Sequence, residues 1–491
     1  EILQSYAEVD DRIKVVIRKE NGHISAASNS ALALASYRFL VLLDHDDVLH
    51  PLALYYVART IYEHPDSVII YTDEDKITKR GKRLDPYFKP DFDYELLLSQ
   101  NMISHLGVYK TEVVRAVGGF QIGLEGSQDY DLALKVMEQC SPNQIHHIPL
   151  PLYHWRIFRK SAARGLNVKP YTINAAEKAL KDHLDRCHID GEIQFLPDVA
   201  SFCVTYPLPN KVPKVGILII TDKKIRDIKA QVDQIFAKTK PDTIKIYLHT
   251  ENISSIDFAN IFNASKNAVT LLKTNPGFDN NLPKRINYCV NQINQEFICI
   301  LEGTISGFPS NWISNLLGQL LQNDVGAVAP RLIDENNQVF SNGLVLLPNG
   351  SVKPISKGKP RSDNGYFGWS KIKRGFSALP AECLLFQKRL FSSVGGFSEN
   401  LSSPLSSTID FCLKLKDQNL KNIILPSIEL IIQKENYFNK VKWQMDQSKE
   451  ISQILHNKWK YWFDDDPAFN PNLSIIDDGQ VIVKVDKNIS P

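Results

Sequence analysis

Short, unbroken apolar runs alternate along this chain with longer stretches whose apolar positions recur at helical spacing. The first pattern marks strands buried on both faces, and the second marks amphipathic helices. Residues 2–9 read as an amphipathic helix, residues 13–17, 39–43 and 68–71 as strands, and residues 25–34 and 52–63 as helices. Pro51 suits the first turn of the last of these. A further helix is expected over residues 174–187, followed by a short strand. Residues 206–213, which hold three prolines, read as an extended linker. Beyond it, strands are expected at 215–220 and 243–248 around a helix at 225–236. The alternation predicts an α/β fold with a mostly parallel sheet in each half.

The layout occurs twice. A shift of 258 residues carries Phe39–Leu43 onto Phe297–Leu301 and Asn29 onto Asn287. Val117-Gly118-Gly119-Phe120 returns as Val394-Gly395-Gly396-Phe397. Copy two retains a strand–helix–strand front end, opening at Val215, that copy one lacks. The expected boundaries are 1–205 for the first domain, 206–213 for the linker, 214–475 for the second domain and 476–491 for a polar tail.

The copies differ in their polar residues. The first strand ends on Asp44-His45-Asp46-Asp47, whereas the second ends on Glu302-Gly303-Thr304-Ile305. Ligands of parallel α/β sheets bind beyond the carboxyl ends of the strands. There an Asp-x-Asp turn can aim two carboxylates at one hard cation, which can in turn neutralise a diphosphate. The alternative is that these acids favour the N-terminus of the next helix, worth ~0.3–1 kcal/mol. Copy two keeps that segment, residues 309–317, without the acids, which favours the cation.

A second pair of acids, Asp129 and Asp131, opens a helix, where a capping carboxylate is worth ~1 kcal/mol. Copy two keeps Asp410 for Asp131 and has Thr408 for Asp129. Asp131 is therefore assigned to structure, and Asp129 to a general base that takes a proton from an attacking hydroxyl. His154, among aromatics, is ordinarily a packing residue, but its counterpart is Ile431, so it disappears together with the acids. Imidazole suits Mn²⁺-like ions.

Composition narrows the class. The 491 residues are 43% hydrophobic and 23% charged, with a net charge of +2 and no long basic run, which gives no electrostatic case for a nucleic-acid partner. Seven scattered cysteines without a CxxC pair predict a reduced, cytoplasmic setting. No apolar run approaches the ~20 residues of a membrane span, and no signal peptide is seen. The chain opens at Glu1 rather than at a methionine, so its true beginning is expected upstream.

Copy one resembles family 2 glycosyltransferases of the GT-A fold, of the large bacterial cell-surface polysaccharide type. The matching stretches are 21–29, Leu43-Asp44-His45-Asp46-Asp47, Tyr71-Thr72-Asp73-Glu74-Asp75-Lys76, Phe88-Lys89-Pro90, Gly126-Ser127-Gln128-Asp129-Tyr130-Asp131 and Leu152-Tyr153-His154-Trp155-Arg156. Copy two resembles a degenerate second domain of the same family. The resemblance implies a metal-dependent, inverting transfer of sugar from a nucleoside-diphosphate sugar, UDP- or dTDP-linked, to a glycan or lipid-linked glycan hydroxyl. It implies Mn²⁺ or Mg²⁺ at Asp46, Asp44 and His154, with donor contacts at Asp44, Asp46, Asp47 and Asn29. Asp129 would be the base, and Asn101, His105, Trp155 and Arg156 would face the acceptor. Asp73 and Asp75 read either as site residues or as solvated loop acids.

The family's first strand, helix and second strand are expected before residue 1. Peripheral association with the inner face of a membrane and the oligomeric state are left open. A nucleotidyltransferase would need a glycine-rich, basic phosphate loop that the chain does not show. A bifunctional polymerase fails at Thr304 and Thr408. The rival from another class is a non-catalytic glycan-binding or assembly protein built from two degenerate domains.

Overall fold

The computed structural model describes residues 2–157, 170–250, 252–262, 268–273, 281–401, 403–434, 436, 438, 449–476 and 479–484. It separates into two units between Val204 and Thr205. Unit 1 opens with helices α1 (Ile2–Val9) and α2 (His23–Leu34), strands β1 (Phe39–Val41) and β2 (Val48–Leu49), and helix α3 (Ala53–Glu63). Strands β3 (Ile69–Ile77) and β4 (Arg83–Tyr87), helix α4 (Tyr94–Ser99), strand β5 (Gly107–Lys110) and helices α5 (Thr111–Ala116) and α6 (Gln128–Met137) follow. Strand β6 (Ile145–Arg156), helix α7 (Pro170–Arg186) and the pair β7 (Glu192–Leu196) and β8 (Ser201–Thr205) complete it. The sheet order is β1-β5-β3-β6-β2, with β4 on β3. Antiparallel β5 lies between β1 and β3, and β3 pairs parallel with β6. Strands β1, β3 and β6 therefore run the same way and finish at one end of the sheet. Val57, Ile70, Val108, Ile148 and Leu152 pack beneath it.

Unit 2 repeats this plan with more strands. Strands β9 (Val215–Ile220), β10 (Ile244–His249), β11 (Val269–Leu272), β12 (Phe297–Glu302) and β13 (Val325–Asp334) come first. They are followed by β14 (Val339–Ser341), β15 (Leu344–Leu346), β16 (Val352–Pro354), β17 (Arg374–Phe376), β18 (Cys383–Gln387) and β19 (Lys421–Ile432). The order is β11-β10-β9-β12-β18-β13-β19-β17. Buried on both faces, β9 and β12 are the unbroken apolar runs that such strands require. The pairing Phe39↔Lys110 recurs as Phe297↔Gln387, and Asp75↔His154 recurs as Ile333↔Ile431. Strands β12, β18, β13 and β19 are thus the counterparts of β1, β5, β3 and β6. Strands β9 to β11, beyond β12, have no counterpart among the described residues of unit 1, where β1 is the edge strand.

The recurring Val-Gly-Gly-Phe is explained by its backbone. After α5, the Gly119 N–H reaches the Val114 carbonyl at 2.9 Å and the Gly118 N–H reaches Arg115 at 3.0 Å, a Schellman stop. Both glycines have positive φ, 82° and 68°, as do Gly395 and Gly396 in unit 2. A Cβ on Gly119 would fall 2.5 Å from the Asn29 oxygen. Asn29 accepts from the Phe120 N–H and donates to its carbonyl, both at 2.8 Å, and Asn287 does the same with Phe397 at 2.9 and 2.8 Å. The Asn29 amide, expected to face the donor, ties α2 to the turn after α5. Asn29→Ala should therefore cost unit 1 about 1–3 kcal/mol, read by thermal unfolding, and leave nucleotide affinity unchanged.

Residues 13–17 form no strand. Val16 and Ile17 are exposed, and a β-rich sequence becomes a strand only where a neighbour supplies the ladder. In the expected tail, residues 477–478 and 485–491 lie outside the described residues, and Val481–Val483 pairs with Leu473–Ile475.

Candidate active site

The end of β1 passes into a turn in which the Asp47 N–H donates to the Asp44 carbonyl at 3.2 Å. Asp47 fastens this turn to β6. One of its oxygens accepts from the Tyr153 hydroxyl at 2.5 Å and the other from the Arg156 N–H at 2.7 Å. The Arg156 guanidinium donates to the Asp46 carbonyl at 2.7 Å. Asp47 and Arg156, expected to meet donor and acceptor, both make bonds that hold the turn. The carboxylates of Asp44 and Asp46 accept no hydrogen bond from the described residues, and His45 stands 3.9 Å from Asp46. Two uncommitted carboxylates at a strand end fit a hard cation's need for oxygen ligands.

Strand β3 delivers Asp73, Glu74 and Asp75 to the same end of the sheet. All three are buried, so the solvated-loop reading fails. Each has its own partners. Asp73 accepts from the Lys89 N–H at 2.8 Å and faces His147 at 2.9 Å. Burial opposes charge on His147, but Asp73 and Asp91 outweigh it and hold the imidazolium up to about 9. Glu74 accepts from the Lys89 amine at 3.2 Å and the His105 N–H at 2.9 Å. Asp75 lies 2.7 Å from His154 Nδ1 and accepts from Arg83 at 2.5 Å. Periodicity left Asp73 and Asp75 open between site and loop because it treats an acid as outward-facing. The usable signal was three consecutive acids continuing an apolar strand.

Helix α6 begins at Gln128, which places Asp129 in its first turn, half-buried and with Oδ2 accepting from Asn101 at 2.9 Å. Asp131 pairs with Lys135 at 2.9 Å, and Lys135 donates to the Gly119 carbonyl at 2.7 Å. Asp410 and Lys414 repeat this arrangement, at 2.8 Å between themselves and 3.1 Å to Gly396. Burial raises the carboxyls of Asp44 and Asp129, and His105 pulls both back. The His105 ring stacks on Tyr153 at 4.5 Å and meets Trp155 edge-on at 5.7 Å. His105 therefore acts electrostatically on both the acid turn and the base candidate.

Asp44, Asp46 and His154 are carried to one end of the sheet, but their ligating atoms do not converge. Among the described residues, the set of three such atoms within 4.8 Å of one another is Glu138, His183 and Cys187. That set is closed by Arg186, which donates to both Glu138 oxygens at 2.8 and 2.6 Å, and by Tyr94, 3.0 Å from His183 Nε2. It clamps α6 to α7.

Unit 2 keeps the frame and loses the groups. Glu302 stands at the Asp44 position, fully buried, and accepts from the Thr304 N–H at 2.6 Å. Thr408 is fully buried, and the strand register itself places Ile431 where His154 stands.

Residues 1–118 match the family model described as Glycosyl transferase family 2. The match lies wholly within unit 1. An uncharacterized protein, y4gI, of Sinorhizobium fredii is 33% identical over 489 residues, covering 96% of this chain and 52% of that protein. The O-antigen biosynthesis protein RfbC of Myxococcus xanthus is 28% identical over 480 residues, covering 96% of this chain and 37% of that protein. The chain thus spans about half the length of the first of these relatives, and less of the second. A mannosyltransferase from Pyrobaculum calidifontis, solved with GDP-Man and Mn²⁺, aligns over 54% of this chain and 70% of its own. Its identity is 14% and its TM-score 0.37, too slight to carry an argument. No helix among the described residues is long and apolar enough to cross a membrane.

Proposed function

We propose that unit 1 transfers a sugar from a nucleoside-diphosphate sugar to a hydroxyl of a glycan or lipid-linked glycan, with inversion, in the assembly of a cell-surface polysaccharide. The observation that carries this reading is the comparison between the units. The same sheet end is built twice, and only the first carries two uncommitted carboxylates, a half-buried base candidate and a histidine held by a carboxylate. The match of residues 1–118 to the family 2 model and the likeness to an O-antigen biosynthesis protein support it.

Asp44 and Asp46, the uncommitted carboxylates of the turn, would hold a divalent cation, which when bound would neutralise charge on the departing diphosphate; His154, proposed from the sequence as a third ligand, does not converge with them in this structure. Asp129 accepts the proton of the acceptor hydroxyl as its oxygen bonds to the anomeric carbon and the bond from that carbon to the diphosphate oxygen breaks. Asn101 and the helix N–H groups fix the Asp129 carboxylate. Unit 2, with Thr304, Thr408 and Ile431 at these places, carries no transfer chemistry and acts as scaffold or glycan contact.

Calorimetric titration of UDP, dTDP and GDP, with and without Mn²⁺, tests the reading. Metal-dependent binding of one nucleotide is expected, and Asp46→Asn should abolish it. Binding that ignores both Mn²⁺ and the substitution would exclude the assignment.

A further inference from the structure

Unit 2 has lost chemistry, but it has also gained a long connection. Strand β14 meets β13 at Leu332 as β4 meets β3 at Glu74, so the segments that follow correspond. Between β4 and β5 lie residues 88–106, which carry Asn101 and His105. Between β14 and β18 lie residues 342–382, a longer run that holds the paired strands β15 and β16 and then a polar loop.

The loop is fixed to the end of the sheet. Arg331, fully buried, stands on β13 where unit 1 has Asp73, and it pairs with Glu429 on β19. It donates to the Arg361 carbonyl at 3.1 Å and to the Ser370 hydroxyl at 3.0 Å, and the Arg361 guanidinium donates to Glu429 at 2.6 Å. A hairpin of β20 (Leu473–Ile475) and β21 (Val481–Val483) lies against the loop. There the Ser356 N–H donates to the Gly479 carbonyl at 3.0 Å, and the Lys359 amine to Gln480 at 3.3 Å. Gly479 has φ +73°, and a Cβ on it would fall 2.3 Å from the Lys357 backbone, so this close approach requires glycine.

Loop and hairpin enclose a cavity of about 320 Å³, whose polar lining is Ser356, Lys359, Asp363, Tyr366 and Gln480. That volume falls at the small end of ligand pockets, which run from about 300 to 1,000 Å³. One amine against one carboxylate leaves no excess of positive charge for a phosphate. Hydroxyl, amine, carboxylate and amide together supply both donors and acceptors, which a row of ligand hydroxyls needs. Tyr366 adds a ring, held edge-on by Phe367 at 4.8 Å and by the buried Trp369 at 5.0 Å. Such a ring can cover the apolar C–H face of a sugar while its hydroxyl stays in a polar setting.

We propose that this cavity binds a sugar unit of a glycan, so that unit 2 holds a ligand where unit 1 carries out a reaction. The inference rests on the reading of unit 2 as scaffold or glycan contact, and it decides for the second.

The test is saturation-transfer nuclear magnetic resonance on the full chain, with the methyl glycosides of glucose, galactose, mannose, rhamnose and N-acetylglucosamine as probes. Transfer to at least one glycoside is expected, and titration should show its affinity weakened roughly tenfold or more in Tyr366→Ala. Should that variant fail to fold, Gln480→Ala carries the same test, because Gln480 is exposed. Transfer to none of the glycosides would overturn the proposal. So would an affinity unchanged by the substitution, which would place the sugar elsewhere on the chain. The nucleotide titration reads unit 1 separately and should be unaltered in Tyr366→Ala. A wild type that binds no nucleotide yet shows sugar binding sensitive to Tyr366 would remove the reading of unit 1 and leave this cavity standing.

Discussion

Asp129→Asn should lower the rate of sugar transfer by roughly 10²–10⁴-fold, the usual worth of a positioned general base, while metal-dependent nucleotide binding persists. Asparagine keeps an oxygen for the Asn101 donor but cannot accept a proton from the acceptor. Burial is the largest influence on Asp129 and raises its carboxyl, and His105 and the helix N–H groups only partly offset it. Transfer needs the ionised form, so the rate should fall as pH drops through a value above the ordinary carboxylate range. Asp129 contributes to that limb together with Asp44, whose carboxyl burial also raises. The residual activity of the asparagine variant should lack the Asp129 part of it, and a full rate in the variant would remove Asp129 from the mechanism. Stability runs the other way. A carboxyl raised on folding binds its proton more tightly in the native state, so its contribution favours folding below that pKa and is lost above it. The asparagine variant is therefore expected to unfold no earlier than wild type at neutral pH, which separates lost chemistry from lost fold.

Lys89→Met should carry the largest stability cost. The amine has no exposure and donates to Glu74 at 3.2 Å, to the Ile103 carbonyl at 2.9 Å and to the His105 carbonyl at 2.7 Å. Burial pulls its pKa down, and Glu74 and Asp73 only partly restore it. Deleting one member of a buried ion pair leaves the other charge uncompensated, at a cost of about 3–5 kcal/mol. For a unit of this size that lowers the thermal midpoint by roughly 10 °C. A Glu74→Leu change made together with Lys89→Met should recover part of the loss, because neither charge is then left alone. A midpoint unchanged in Lys89→Met would show that the network contributes nothing. The effect should also reach the site, since the same amine holds the backbone at His105, whose ring acts on both Asp44 and Asp129.

The built-in repeat made much of this legible. Comparison of the copies marked Asp131 as structural, and the structure shows it and Asp410 making the same bond to a lysine four residues on. Strands at 39–43, 215–220 and 297–301 and helices at 25–34 and 225–236 fell close to their observed bounds, because a buried strand and an amphipathic helix each impose a local spacing on apolar residues. The strand expected at 13–17 failed for the complementary reason, that a ladder partner is not a local property.

The sequence by itself therefore determined the α/β alternation, the duplication and which copy retains the acids, all properties of neighbouring residues or of a repeat within one chain. Only the tertiary structure decided what each polar side chain does. Asp47 and Asp46 are adjacent acids, yet one is tied to Arg156, 109 residues away, and the other is left free. Asn29 turned out to be a clamp, and Asp73, Glu74 and Asp75 proved to be buried partners of His147, Lys89 and His154. Such roles are fixed by strand register, which sets what stands opposite each side chain, and no spacing along a single strand encodes its neighbour across the sheet.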